Sequence, residues 1–154
     1  MKHKMILLVS MFLALVVLTN VARAQEGMTV VPSTHDVATT MDKLESIVKS
    51  KGMKVMARVN HTANAESVGM ELRPTQLLIF GNPKVGTPLM LCSQSIAIDL
   101  PQKMLVWESE AGEVFLGFND PAHLKGRHAT EGCDKVFEMV TGALNNFAKA
   151  AAAP

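Results

Sequence analysis

The chain has 154 residues, 48% of them hydrophobic, with 15 basic and 14 acidic residues. That length supports one domain with a modest core. The near-neutral balance excludes the basic footprint of a nucleic-acid binder and the high net charge of a disordered chain.

In chain order, "MKHKM" is a short positive segment and "ILLVSMFLALVVLTNV" a continuous apolar run. Ala22-Arg23-Ala24 then places small residues at −3 and −1 before Gln25. This pattern reads as a secretory signal peptide over residues 1–24, cleaved after Ala24, with a periplasmic or secreted domain over 25–154. Loss of Lys2, Lys4 and Arg23 would leave 12 basic residues against 14 acidic. No later apolar run is long enough for the roughly 20 residues that a membrane span needs, so no membrane contact is expected after cleavage.

"MTVVPS" reads as a first strand. "STHDVATTMDKLESIVKSKG" is the clearest helix, with Ser33 as cap and Asp36 as its capping-box partner. Val37, Met41, Leu44 and Val48 make its apolar stripe, and Gly52 ends it. "MKVMARVNH" alternates as a half-buried strand, which puts Met53 and Met56 on opposite sides. "TANAESVGMELRP" reads as a loop with at most one helical turn. "TQLLIF" is a buried strand, and "KVGTPLMLCSQSIAI" contains a short helix. "DLPQKMLVWESE" and "GEVFLGFND" are two strands joined near Glu110 to Gly112, with Trp107 in the core or a pocket wall. Asp120-Pro121 caps and opens a short helix. "CDKVFEMVTGALNNFAKAAAA" is a final helix with Val140, Leu144 and Phe147 inward and an Ala-rich end expected to fray. The sum is an α+β fold: a mostly antiparallel sheet covered on one face by two long helices.

The chemistry-bearing residues are sparse. "FGNPKVGTP" approaches a phosphate-binding loop, but Thr87 follows Gly86 where that loop needs a lysine. Pro83 and Pro88 also remove two backbone donors. A strand-to-helix turn is the better reading, with an anion at the helix start left open. His35, His61, His123 and His128 have no zinc-binding spacing, yet a shared ligand or metal role through tertiary convergence stays open. Ser93 and Ser95 stand near Cys92 without a G-x-S-x-G elbow, so no nucleophilic triad is visible. The methionines read as core filling rather than a soft-metal site. Cys92 and Cys133 allow a disulfide in an oxidising compartment or two separate buried thiols.

Several blocks together resemble a known family. "STHDVATTMDKLESIVKSKGM", "VNHTANA", "ELRPTQLLIFGNPKVGTPLM", "IDLPQKMLVWE" and "FNDPAHLKGRH" are similar to the bacterial and archaeal domain-of-unknown-function family 302. The resemblance runs from about Val30 to Leu144. It implies a TBP-like α+β domain, one copy per chain, and a homodimer. It assigns no reaction and no cofactor. His35, His61 and His128 fall at matching motif positions; many members carry Asp where this chain has Asn60. Two functions follow as expectations. The first is a non-enzymatic binding module for a small ligand, with His35, His61, Arg73, Lys84, Thr87 and His128 at its site. The second is a metal- or haem-binding protein using His35, His61 and His128.

Overall fold

A computed structural model describes residues 26–154. The expected signal segment, residues 1–24, lies outside the described residues. Five strands form one sheet: β1 (Met28–Ser33), β2 (Lys54–Asn60), β3 (Thr75–Gly81), β4 (Gln102–Glu108) and β5 (Val114–Asn119). Their spatial order is β1-β5-β4-β3-β2, every pair antiparallel. The last four strands make a meander, and β1 and β2 occupy opposite edges. The helix α1 (Val37–Ser50) links those two edges. The remaining helices are α2 (His61–Glu66), α3 (Pro83–Cys92), α4 (Pro121–His128) and α5 (Asp134–Ala152), with a 3₁₀ helix at Gln94–Ile98.

Alternation along the strands decides which face meets the helices. Leu78 and Phe80, Met104 and Val106, Leu116 and Phe118 are all buried on one face. The register aligns them: Leu78 stands opposite Met104, and Met104 opposite Phe118. Against them α1 sets Val37, Met41, Leu44 and Val48, and α5 sets Phe137, Val140, Leu144 and Phe147. The α+β architecture with two long helices on one face is thus the one the periodicity predicts.

The caps differ in detail. Asp36, not Ser33, caps α1; its carboxylate accepts the Thr39 N–H at 2.7 Å. Ser33 instead accepts the His35 N–H at 3.2 Å and pairs with Thr40 Oγ1 at 2.7 Å, which holds the chain bent before the helix starts. Asp120 caps α4 with Pro121 in its first turn, as expected. The Ala-rich end of α5 does not fray. Ala151 is fully buried, and the Ala152 carbonyl accepts both the N–H and the hydroxyl of Thr34. Small side chains let that terminus pack closely, and Thr34 satisfies a carbonyl that a free helix end would leave to water.

Among the described residues, no long helix packs on the other face of the sheet. Val59, Leu77, Leu105, Gly117 and Val30 form one row across it, and Thr75, Trp107, Phe115 and Pro32 the next. Trp107 therefore stands apart from the helix-side core. It is half-buried on this open face, 5.7 Å from Phe115 between ring centroids. Its indole leans over Gly117, where an added Cβ would come within 3.0 Å of Trp107 Cζ3.

Candidate functional site

The cavity of interest opens under the loop that joins β3 to α3. The strand ends at Gly81, and the Asn82 side chain accepts the Lys84 N–H at 2.9 Å. Pro83 then occupies the first turn of α3, where its missing donor costs nothing. The Asn82 carbonyl takes the N–H groups of Val85 and Gly86. "FGNPKVGTP" is therefore a strand-to-helix turn, and Asn82 already uses the donors that would meet an anion.

Beneath this turn lies a cavity of about 340 Å³. Its floor is Phe80, Leu144 and Phe147, and Phe80 meets Phe147 edge-on with centroids 6.1 Å apart. Pro83, Val85, Gly86, Thr87 and Leu89 close one side; Ala97, Leu100 and Pro101 close another. Four methionines also line it, Met53, Met56, Met90 and Met139, and Asn82 and Gln102 add polar side chains to the wall. Met56 and Met139 are 46% and 54% exposed, so they frame the mouth. The strict alternation read from the sequence put Met53 and Met56 on opposite sides. A register shift between Val55 and Ala57 breaks that alternation. Such a bulge leaves one residue unpaired and re-aims its side chain, so both methionines reach the same cavity.

Of the residues expected at a ligand site, Thr87 lines this cavity; His35, His61, Arg73, Lys84 and His128 do not. Lys84 is exposed on the first turn of α3. Arg73 precedes β3, and its Nε donates to the Glu108 carbonyl at 3.3 Å. His61 does not end β2 but begins α2, whose cap is Asn60. His35 sits at the opposite end of the chain path, where Nε2 lies 2.8 Å from both the Ala153 carbonyl and Lys43 Nζ. It ties the start of α1 to the chain's C-terminal segment. His128 is buried on α4 between Ser95 and Asp99. The three histidines thus have three separate surroundings. Among the described residues, no group of three or more His, Cys, Asp or Glu side chains is arranged to hold a metal ion.

The structure joins Cys92, at the end of α3, to Cys133, just before α5, with Cα atoms 6.4 Å apart. Tertiary folding also assembles a chain of polar groups that no sequence spacing announces. Ser95 Oγ lies 3.0 Å from His128 Nδ1, and His128 Nε2 lies 2.5 Å from Asp99 Oδ2. Arg127 reaches Asp99 Oδ1 at 3.2 Å. Ser95 and Asp99 are local to the 3₁₀ helix, but His128 comes from 29 residues beyond Asp99. The only local hint is a serine and an aspartate four apart.

These features define a class: a small α+β domain with one antiparallel sheet, two long helices on one face and an apolar cavity beneath a strand-to-helix loop. The profile of the family described as domain of unknown function DUF302 matches residues 29–147, and the chain belongs to that family. A crystal structure of an uncharacterized conserved DUF302 protein from Bacillus stearothermophilus superposes with a TM-score of 0.74. That match covers 82% of this chain and 99% of the other at 18% identity, and it shows the shared fold. The chain is also 47% identical over 103 residues to proteins named "Fluoride-specific ion channel FluC 1" from Brucella suis and "Fluoride-specific ion channel FluC 2" from Brucella melitensis. These matches cover 67% of this chain but only 41% and 38% of those relatives, so it spans about two fifths of their length.

Proposed function

We propose that this domain is an exported binding module that takes a small apolar molecule into the cavity beneath the β3–α3 loop. The observation that carries the reading is the cavity itself: about 340 Å³, lined almost wholly by apolar side chains, with methionines at its mouth. That volume lies at the lower end of the range for small-molecule sites, roughly 300–1,000 Å³. Methionine side chains are flexible and polarisable, so such a lining adapts to ligands of varied shape. Among the described residues Thr87 is the one hydroxyl side chain on the wall, and it can orient a polar end of the ligand. Export rests on the "MKHKM" segment, the apolar run and the Ala22-Arg23-Ala24 site. The fluoride channel named for the longer relatives is not carried over to this chain, which spans about two fifths of their length.

The test is saturable binding of an environment-sensitive apolar dye such as 1-N-phenylnaphthylamine, with medium-chain fatty acids as competitors. One site per chain is expected. Ala143→Trp on α5, at the cavity wall, should abolish binding while the protein stays folded by circular dichroism. Dye binding that is unsaturable, or unchanged in Ala143→Trp, would remove the reading.

A second observation supports assembly as a homodimer. The open face of the sheet carries Val30, Leu77, Ile79, Leu105 and Trp107, half-buried, beside the buried Phe115, with Lys54 and Lys103 the charged residues among its paired positions. A face so poor in charge matches another apolar surface, and the same face of a second copy is one. Light scattering on a sizing column should give twice the chain mass, and Trp107→Glu should give monomer. A wild-type monomer at micromolar concentration would exclude this assembly.

A further inference from the structure

The cavity does not involve the polar chain at Ser95, and that chain has the parts of a hydrolytic site. We propose that Ser95, His128 and Asp99 form a relay in which Ser95 Oγ attacks small, activated carboxylic esters. The nucleophile and the base are 3.0 Å apart, within the reach such pairs require. A neutral imidazole has one donor and one acceptor nitrogen. Asp99 Oδ2 at Nε2 holds the proton there, which leaves the Nδ1 lone pair facing the Ser95 hydroxyl. The order is the mirror of the familiar triad, with the serine on Nδ1 and the carboxylate on Nε2. Either nitrogen serves, because the chemistry depends on roles and distances rather than on ring position.

The surroundings favour the same division of labour. His128 is 8% exposed, so its imidazole is shielded, whereas Ser95 is exposed and open to a substrate. Arg127 holds the Asp99 carboxylate at Oδ1, and Lys103 Nζ donates to the Asp99 backbone carbonyl at 2.9 Å, which steadies the residue whose carboxylate positions the ring. Ser93 Oγ lies 3.1 Å from Ser95 Oγ and adds one more hydroxyl to the hydrogen-bond chain.

In the proposed step the Ser95 Oγ–carbonyl carbon bond forms as the Oγ proton passes to His128 Nδ1. The ester C–O bond then breaks, and the departing alkoxide takes that proton from Nδ1. Water next attacks the acyl-serine and gives one proton to Nδ1. The acyl–Oγ bond breaks, and the proton returns to Ser95. The net change is ester plus water to acid plus alcohol, with no redox partner.

The experiment treats the disulfide-intact protein with a fluorophosphonate probe, then with p-nitrophenyl acetate. One phosphonyl adduct at Ser95 is expected by peptide mass spectrometry, with fluoride leaving phosphorus. Ser95→Ala alters an exposed side chain, so it should fold normally and lose the adduct. His128→Gln should slow p-nitrophenyl acetate turnover by roughly 100-fold or more, the usual contribution of a general base. Asp99→Asn should change the shape of the pH–rate profile, whereas a purely structural role would leave that shape intact. If His128→Gln fails to fold, the adduct site and Ser95→Ala decide the matter. No adduct on the wild type, an adduct elsewhere, or equal labelling of Ser95→Ala would overturn the proposal. Dye binding in the cavity is measured separately, so failure of one reading does not mimic failure of the other.

Discussion

Opening the Cys92–Cys133 bridge should cost this domain a large part of its stability. The two cysteines stand 41 residues apart in sequence. In the chain-entropy account, a loop of that length removes about 13 cal/mol/K from the unfolded ensemble, or about 4 kcal/mol at 25 °C. For a domain of this size that corresponds to a fall in Tm of roughly 10–15 °C. The assay is urea unfolding with and without reductant, followed by the fluorescence of Trp107, the chain's one tryptophan. Cys92→Ser is the matching variant: Cys92 is exposed, whereas Cys133 is buried and would leave a gap if removed. Its transition should coincide with that of reduced wild type. Identical midpoints for oxidised and reduced protein would refute the reasoning. So would two titratable thiols per chain after purification from an oxidising compartment.

Leu144→Ala removes a side chain that is 2% exposed at the cavity floor. It should cost about 2–5 kcal/mol in chemical denaturation and admit bulkier dyes. Gly117→Ala pushes a methyl group against Trp107, whose indole is backed by Phe115 and cannot swing aside as the Met28 tip can. A loss of about 1–3 kcal/mol is expected, with a shift in tryptophan emission. At the α1 cap, the Thr39 N–H holds the Asp36 carboxyl below its ordinary value of 3.8. A depressed carboxyl contributes stability above that ordinary value and loses it as pH falls through the lower folded one. Asp36→Asn keeps a capping acceptor but cannot titrate. Its urea midpoint at neutral pH should therefore stay near wild type, and its loss of stability below pH 3.8 should be shallower.

How much of this was legible depends on the range of each signal. The stripe Val37, Met41, Leu44, Val48 and the alternation through "TQLLIF" are local, so helix and strand follow directly. Asp120-Pro121 and "FGNPKVGTP" are local as well, and both are the turns their residues specify. The bulge near Met56 has no such signature. A strict period-two pattern cannot reveal an inserted residue, so the shared orientation of Met53 and Met56 stayed hidden. The placement of the histidines was out of reach for a related reason. Matching motif positions say nothing about where side chains converge, and His35, His61 and His128 enter three different environments.

The sequence by itself determined the α+β class, the strand and helix sequence along most of the chain, the strand-to-helix turn and the family. These rest on contacts between near neighbours and on periodicity, which one chain carries openly. Tertiary structure alone decided that an apolar cavity opens under "FGNPKVGTP", that Cys92 meets Cys133, and that Ser95 and Asp99 meet His128. Each depends on packing α3, α4, α5 and the 3₁₀ helix against one another. Local propensity does not encode the distance between two such elements; the burial of their apolar faces sets it.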